Sequence, residues 1–233
     1  QALYRKWRPK VFSEVVGQEH ITDTLRRQVA EGHTAHAYLF TGTRGTGKTT
    51  CARILAKAVN CLSPVDGEPC GRCEACRAVD AGTTLDITEL DAASNNGVDQ
   101  VRALREEAVY TPAVLKKRVY IIDEVHMLST PAFNALLKIL EEPPEHLMFI
   151  LAELHKVPAT ILSRCQRFSF KRILPRDMER QLLHIAQAES IDLTADGAEI
   201  LSRMAGGALR DALSLLDQCR VAEGQLTSRA VLD

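Results

Sequence analysis

The chain has 233 residues, of which 45% are hydrophobic, so it is long enough to bury one large core or two modest ones. Its 29 basic and 30 acidic residues nearly balance, which excludes a uniformly basic surface and leaves only local contacts with nucleic acid. The sequence has no apolar run of bilayer length and opens without a signal peptide, so we expect a cytoplasmic protein with no membrane partner. It begins at Gln1 and is expected to be a piece of a longer protein.

Strand and helix patterns alternate along the chain up to Lys171. The predicted strands are residues 37–40, 85–90, 119–122, 147–151 and 168–170. The predicted helices in this part are residues 22–31, 50–59, 98–108 and a segment capped by Ser129 and ended by Pro143. Because alternating strands and helices favour a parallel sheet covered on both faces, we predict a three-layer α/β fold.

The pattern changes after Lys171, where only helical periodicity remains. The predicted helices here are residues 175–190, 194–205 and 208–221, and Gly206-Gly207 separates the last two. We therefore predict an α/β domain over residues 1–171 and a small helical domain over residues 172–233.

Residues 42–49 read Gly-Thr-Arg-Gly-Thr-Gly-Lys-Thr, which fits the phosphate-loop pattern between a strand and a helix. The backbone N–H groups of such a loop and the N-terminus of its helix attract phosphate, and glycines permit a left-handed backbone. Lys48 is predicted to contact the β- and γ-phosphates, and the Thr49 hydroxyl to bind Mg²⁺. The predicted phosphate-binding residues are Gly42, Thr43, Arg44, Gly45, Thr46, Gly47, Lys48, Thr49 and Thr50.

Four cysteines, Cys61, Cys70, Cys73 and Cys76, lie close together in a stretch rich in glycine and proline, so we predict an irregular module at about residues 60–78. Clustered thiolates in a cytosolic protein indicate a metal site, and this set suits tetrahedral Zn²⁺. The Cys-x2-Cys-x2-Cys spacing also resembles iron–sulfur ligation, but nothing else in the sequence indicates electron transfer. Four sulfur ligands leave no open coordination position, so we expect the zinc to be structural or to support a partner surface.

A second nucleotide motif is predicted where an apolar strand, residues 119–122, ends in Asp123 and Glu124. Asp123 would bind Mg²⁺, and Glu124 would orient or deprotonate the attacking water. Phosphoryl transfer also needs positive charge near the phosphates, for which Arg164 and Arg210 are candidates. Spacing alone does not choose between this role and an ordinary surface salt bridge.

Several short segments together resemble one known family, the gamma/tau subunits of the bacterial DNA polymerase III clamp loader, which are AAA+ ATPases. The matching segments are Tyr4 to Pro9, Val16 to Glu19, the phosphate loop, the four cysteines, Asp123 to Leu128, Asn134 to Lys138, Leu140 to Pro144, Ser163 to Cys165, and Leu209 to Ala212. The resemblance covers essentially the whole chain. It implies a P-loop AAA+ domain with a four-cysteine zinc insertion, followed by a helical lid.

The resemblance also implies roles for individual residues. Lys48 and Thr49 would bind phosphate and Mg²⁺, and Asp123 and Glu124 would form the Walker B pair. Arg164 would be the arginine finger that reaches the ATP of a neighbouring subunit, and Arg210 would be sensor 2 on the lid. The segment expected to pack on adenine is Arg8, Pro9, Val15, Val16 and Gly17.

The partners implied by the resemblance are the other subunits of a hetero-pentamer, the sliding clamp and primed DNA. The family's collar-forming third domain would lie beyond these residues. A few local basic residues are weak candidates for DNA contact, and acidic neighbours make a solvated surface as good an interpretation. These candidates are Arg102, Arg105, Lys116, Lys117 and Arg118.

The sequence departs from the family at the end of the strand that begins at Leu147. Members typically have small polar residues there, usually threonines that act as sensor 1, whereas Ala152 runs directly into Glu153-Leu154-His155. Either two residues are deleted here or a pair is missing from the sequence. A deletion predicts impaired γ-phosphate sensing and hydrolysis, with nucleotide binding retained.

Two alternatives to an ATP-hydrolysing motor remain open. One is an interaction module that binds nucleotide with little hydrolysis, which the departure after Ala152 favours. The other is a different AAA+ motor, such as a branch-migration helicase. The cysteine cluster disfavours the helicase, because nothing in that mechanism calls for such an insertion.

Overall fold

The computed structural model describes residues 1–154, 157–222 and 224–233. The strands are β1 (Ala37–Thr41), β2 (Ile87–Asp91), β3 (Arg118–Asp123), β4 (Leu147–Glu153) and β5 (Gln166–Ser169). The helices are α1 (Leu3–Lys6), α2 (Glu19–Glu31), α3 (Lys48–Asn60), α4 (Glu74–Ala81), α5 (Val98–Ala108), α6 (Thr130–Glu141), α7 (Ala159–Leu162), α8 (Pro175–Ala188), α9 (Ala195–Ala205), α10 (Leu209–Cys219) and α11 (Ser228–Leu232). Short 3₁₀ turns lie at Phe12–Glu14 and Val125–Met127. Among these helices, none combines the length and the apolar character that crossing a membrane requires.

The five strands form one parallel sheet in the order β2-β3-β4-β1-β5. This arrangement confirms the predicted α/β class. In a parallel sheet all carboxyl ends lie at the same edge, so the loops that follow β1, β3 and β4 meet there. The phosphate loop follows β1, and Asp123 ends β3.

Both faces of the three central strands, β1, β3 and β4, are buried, which explains their nearly continuous apolar runs, whereas the edge strands β2 and β5 are more exposed and more polar. Leu39, Ile122 and Leu151 point into a core with α5 and α6, whereas Tyr38 and Phe40 point into a second core with α2 and α3. Consecutive strand residues alternate between these two cores because side chains alternate across a pleated strand. The order of layers is therefore helix, sheet, helix.

A third core lies among the helices of the C-terminal part, where Met178, Leu182, Leu201 and Leu216 are fully buried. Leu3, from the N-terminal helix α1, belongs to this core and is also fully buried. The Leu3 backbone N–H donates a 2.7 Å hydrogen bond to the carboxylate of Asp217 on α10. The segment at the start of the chain thus packs with its last helices.

The prediction that residues 60–78 are wholly irregular is wrong at its end, where α4 begins at Glu74. Cys73 caps this helix, because its Sγ accepts a hydrogen bond from the Cys76 backbone N–H. Gly82 ends it in a left-handed conformation, as glycines often do at helix C-termini. Cysteine is an unusual capping residue, so the local pattern held no ordinary N-cap signal.

Candidate functional site

The phosphate loop turns through three glycines with positive φ, Gly42 at 142°, Gly45 at 80° and Gly47 at 107°, and leads into α3 at Lys48. The Lys48 side chain is largely buried, and its ammonium donates hydrogen bonds to the carbonyl oxygens of Gly42 at 2.6 Å and Thr43 at 2.8 Å. Burial lowers the pKa of Lys48, and the nearby carboxylates oppose this effect. The loop therefore holds one desolvated positive charge at the helix N-terminus, where the backbone dipoles also favour anions.

Asp123 and Glu124 lie at the carboxyl end of β3, beside the loop. Burial raises the pKa of Asp123, and the Glu124 N–H, which donates to Asp123 Oδ1 at 2.9 Å, and the Lys48 ammonium oppose this shift. Glu124 has a left-handed backbone, with φ 55°, and its carboxylate accepts a 3.0 Å hydrogen bond from Arg44 of the phosphate loop. The two carboxylates and the lysine are thus electrostatically coupled.

The end of β4 carries a buried carboxylate instead of the threonines expected for the family. Glu153 continues the strand and pairs with Thr41 of β1, and its side chain is buried. Its carboxylate accepts hydrogen bonds from the backbone N–H groups of His126 at 2.7 Å and Leu154 at 2.6 Å. The segment that departs from the family after Ala152 therefore places an acidic residue inside the sheet edge. His155, the last residue of this segment, lies outside the described residues.

Lys48, Asp123 and Glu124 line a cavity of about 450 Å³ between the sheet edge and the helical part. The predicted site residues that line it are Arg8, Pro9, Val15, Val16, Arg44, Gly45, Thr46, Gly47, Lys48, Thr49, Thr50, Asp123, Glu124 and Arg210. Gly42 and Thr43 do not line it but support Lys48 through their carbonyl groups. Gly17 does not line the cavity and lies against Ile173, which does.

The helical part touches the phosphate loop directly at the N-terminus of α10. The Leu209 N–H donates to the Gly45 carbonyl oxygen at 3.1 Å. A methyl group at Gly45 would lie 2.8 Å from the Cβ of Ala208, so only glycine fits between the loop and this helix. Arg210 is exposed, and its guanidinium carbon lies 4.8 Å from the centre of the Tyr4 ring.

Arg164 is not among the described residues that line the cavity. Its guanidinium donates to the Thr160 carbonyl oxygen at 2.6 Å and to the carboxylate of Glu141 at 2.8 Å. Arg164 therefore forms the surface salt bridge that was one of its two interpretations from the sequence. This contact is compatible with the arginine-finger role implied by the resemblance, because an arginine finger contacts the nucleotide of a different subunit.

The four predicted zinc ligands converge, since the Sγ atoms of Cys61, Cys70, Cys73 and Cys76 all lie within 4.8 Å of one another. The Cys70–Cys76 and Cys61–Cys73 sulfur pairs are 3.9 and 4.0 Å apart. Four sulfurs around a tetrahedral zinc with bonds of about 2.3 Å lie about 3.8 Å apart, so the cluster fits this ion. Hydrogen bonds from the backbone N–H groups of Arg72 and Cys73 lower the pKa of Cys70 to about 6, which favours the thiolate that binds metal.

Sequence reasoning assigned no site role to Tyr4, Trp7 and Asp91, which also line the cavity. Asp91 ends β2 and lies opposite Asp123 of β3 in the sheet register. The sequence could have predicted that Asp91 lies beside Asp123, since neighbouring parallel strands bring their carboxyl ends together. Nothing in the local sequence indicates that Tyr4 and Trp7 fold back onto the C-terminal helices.

One of the weak DNA-contact candidates is excluded by its burial. Arg118 is only 8% exposed, and its guanidinium faces Asp86 at 3.9 Å and the Glu107 carbonyl oxygen at 3.4 Å. Its place at the start of β3 puts it inside the fold. Arg118 therefore serves the packing between β3 and its neighbours.

A parallel sheet with a phosphate loop after β1, acidic residues after β3 and a helical part over the cavity defines a P-loop protein of the AAA+ type. The Thermotoga maritima RuvB Holliday junction branch migration motor has this fold, with a TM-score of 0.69 over 97% of this chain and 71% of that chain. The two sequences are 18% identical, so this likeness concerns the fold alone.

Two family profiles match the chain, one described as DNA polymerase III, delta subunit, over residues 17–174, and one as DNA polymerase III clamp loader subunit, ATPase lid domain, over residues 177–225. The chain belongs to the family of DNA polymerase III clamp-loader subunits. This confirms the family inferred from the motifs.

Two relatives show how close this membership is. The chain is 54% identical over 229 residues to DNA polymerase III subunit tau of Bacillus subtilis and 48% identical over 234 residues to that of Escherichia coli. These alignments cover 97% and 99% of this chain but 40% and 36% of the relatives, so the chain spans well under half of their length.

Proposed function

We propose that this chain is the ATP-binding and ATP-hydrolysing part of a clamp-loader subunit that places a sliding clamp on primed DNA. The observation that carries this proposal is the cavity in which Lys48, Asp123, Glu124 and Arg210 converge from two parts of the fold. Membership of the clamp-loader family supports the same function. A role in replication implies a cytoplasmic location.

The proposed chemistry divides between binding and activation. The amides of the phosphate loop and the Lys48 ammonium bind the phosphates, and Arg8, Pro9, Val15 and Val16 pack against the base. Glu124 orients and accepts a proton from the attacking water, for which it must release the ion pair with Arg44. Arg210 contacts the γ-phosphate from the lid.

Oxygen donors suited to Mg²⁺ lie together at the sheet edge. The Thr49 hydroxyl and the Asp123 carboxylate would hold the ion, with Asp91 beside them. Bound there, Mg²⁺ neutralises the charge on the phosphate oxygens. We propose Zn²⁺ in the four-cysteine cluster, where it stabilises the insertion.

The position of Arg164 supports an assembly. We propose that it leaves Glu141 and contacts the ATP of the next subunit in a hetero-pentamer. We place the division between the nucleotide-binding domain (residues 1–171) and the lid (residues 172–233) where the sheet gives way to helices, with α1 packed on the lid.

The test measures phosphate release by the chain alone, with its partner subunits, and then with clamp and primed DNA added. We expect slow release by the chain alone and strong stimulation in the full mixture, because neighbours supply the arginine finger. A chain that binds a fluorescent ATP analogue but releases no phosphate in any mixture would contradict the motor function.

That contrary outcome is the second candidate function, a nucleotide-binding module without turnover. It is favoured by the buried Glu153 at the position where the family typically has threonines. Inserting Thr-Thr after Ala152 separates the two candidates. Turnover gained by the insertion, with unchanged nucleotide affinity, would support the binding module for this chain.

The metal proposal has its own test, which does not depend on ATP. Metal analysis of the purified chain should find one zinc per chain, and Cys76→Ser should abolish it. Removal of the ion should lower the thermal stability, since structural zinc contributes directly to folding. Cys219→Ser, a cysteine outside the cluster, is the matched control.

A further inference from the structure

Residues 3–7 pack on the lid through hydrogen bonds, an ion pair and buried side chains. The Trp7 indole N–H donates to the Glu189 carboxylate at 2.9 Å, and the Trp7 ring packs edge-on against His184 at 5.9 Å. Lys6 forms an ion pair of 2.6 Å with the same Glu189. Together with the buried Leu3, these contacts make α1 part of the lid surface. Tyr4 therefore has a fixed position relative to α10.

Tyr4 faces the nucleotide cavity from this position, and the Arg210 guanidinium lies over its ring. The separation of 4.8 Å between the guanidinium carbon and the ring centre is within the range of a cation–π interaction. The pKa of Tyr4 is lowered by Arg5 and, to a smaller extent, by Arg210, which places positive charge at the hydroxyl as well. Arg210 therefore has a definite partner on the lid itself.

We propose that Tyr4 is the positioning residue for Arg210, and that its ring holds the guanidinium at the rim of the cavity, directed towards the γ-phosphate of ATP. This inference rests on the proposed function, because it assumes that Arg210 reads the nucleotide. An exposed arginine has many rotamers, and restricting them before binding reduces the entropy lost when it contacts phosphate. A planar aromatic face suits a planar guanidinium and competes only weakly with a phosphate for it.

Arg5 is the alternative partner of the same ring. Its guanidinium carbon lies 5.6 Å from the ring centre, and its Nε donates to the Tyr4 hydroxyl at 3.1 Å. However, Arg5 is not among the described residues that line the cavity, whereas Tyr4 and Arg210 both are. Arg5 thus contacts Tyr4 outside the cavity lining, and Arg210 is the partner of the ring within that lining.

The experiment measures the affinity of the 233-residue chain for N-methylanthraniloyl-ATP and for the corresponding ADP analogue. Tyr4→Leu, which keeps an apolar side chain but removes the ring, should weaken ATP binding about three- to tenfold and leave ADP binding within about twofold. Tyr4→Phe, which keeps the ring, should restore ATP binding. Tyr110→Leu, an exposed tyrosine away from the cavity, is the matched control.

A double-mutant cycle separates positioning from a general effect on the lid. If Tyr4 acts through Arg210, then Tyr4→Leu should have no further effect on ATP affinity once Arg210→Ala is present. Equal losses for ATP and ADP, or full additivity with Arg210→Ala, would overturn the proposal. If Arg210→Ala alone leaves ATP affinity unchanged, the proposed role of Arg210 fails instead, and Lys48→Ala then shows whether the cavity binds ATP at all.

Discussion

On the sheet side of the cavity, Lys48 is buried and Asp123 half-buried, and both are held by strand ends and helix starts, whereas on the lid side Arg210 is exposed and held by one aromatic ring. The sheet side owes its geometry to backbone elements with fully buried cores on both faces. The lid side owes its geometry to contacts between parts of the chain that are remote in sequence. The sheet side is thus preorganised by the backbone, and the lid side by a single contact between two side chains.

The strongest test of the sheet side is Glu124→Gln. The amide keeps the shape of the side chain but cannot accept a proton, so turnover in the assembled loader should fall about 10²- to 10⁴-fold while ATP affinity is retained. Phosphate release and analogue binding are measured side by side, with Glu106→Gln on the exposed face of α5 as the control. Unchanged turnover would remove Glu124 from the chemistry.

A smaller but still large effect is expected for Lys48→Ala, which removes the buried positive charge of the phosphate loop. We expect ATP affinity to fall about 10- to 100-fold, since a charge-assisted contact with phosphate is lost in a desolvated site. Titration with a fluorescent ATP analogue measures the change, and Lys138→Ala, exposed on α6, is the control. A loss no larger than that of Arg210→Ala would mean that the two sides contribute equally.

Gly45→Ala tests the contact between the two sides. The new methyl group would strain a backbone at φ 80° and would lie 2.8 Å from Ala208, so the lid must move away from the loop. We expect a stability loss of about 1–2 kcal/mol and an ATP affinity reduced several-fold. Thermal unfolding and analogue binding measure these losses. Adding Ala208→Gly should restore part of the affinity but not the backbone strain, and no restoration would mean that the lid contact is unimportant.

The smallest expected effect concerns pH. The pKa of Asp123 is raised by burial, so the carboxyl takes up its proton at a higher pH than an exposed aspartate does. In the window between the ordinary and the raised pKa, the folded state binds more protons than the unfolded one. This group's contribution to stability therefore grows as pH falls through that window.

Mg²⁺-dependent ATP affinity should weaken as pH falls towards the raised pKa of Asp123, because the ion binds the ionised carboxylate. This direction is opposite to that of the stability contribution. ATP affinity of the Asp123→Asn variant is measured over the same pH range, so that the pH dependence caused by protonation of the nucleotide itself can be subtracted. An identical pH dependence in the variant would show that Asp123 does not hold the ion.

The comparison of the two sides also explains what the sequence could predict. The strand, loop and helix around Gly45 and Lys48 are local in sequence, and so are the strand and carboxylates that end in Glu124. Apolar runs and glycine spacing therefore predicted both the fold class and the sheet side of the cavity. The start of helix α6 could be predicted for the same reason, since its cap is local: the Ser129 side chain accepts a hydrogen bond from the Ala132 N–H.

The remaining features depend on contacts that no local pattern encodes. Tyr4 reaches Arg210 only because Leu3 and Trp7 are fastened to helices far along the chain. The basic residue Arg118 resembled a surface residue, yet its strand position buries it beside Asp86. The start of α4 was missed because a cysteine, and not a usual capping residue, accepts the hydrogen bond from the Cys76 N–H in its first turn.

The burial of Leu3 has a consequence for the order of folding. Leu3 and its hydrogen-bond partner Asp217 are 214 positions apart, and the entire sheet is synthesised between them. The loop that their contact closes is long, so closing it has a high entropy cost. We therefore expect this contact to form only after its partner helices exist. The ribosome releases α1 before the sheet, but α1 finds its place after the sheet. Among the described elements, we therefore expect the contact between α1 and the lid, which positions the aromatic ring at the cavity, to form late in folding.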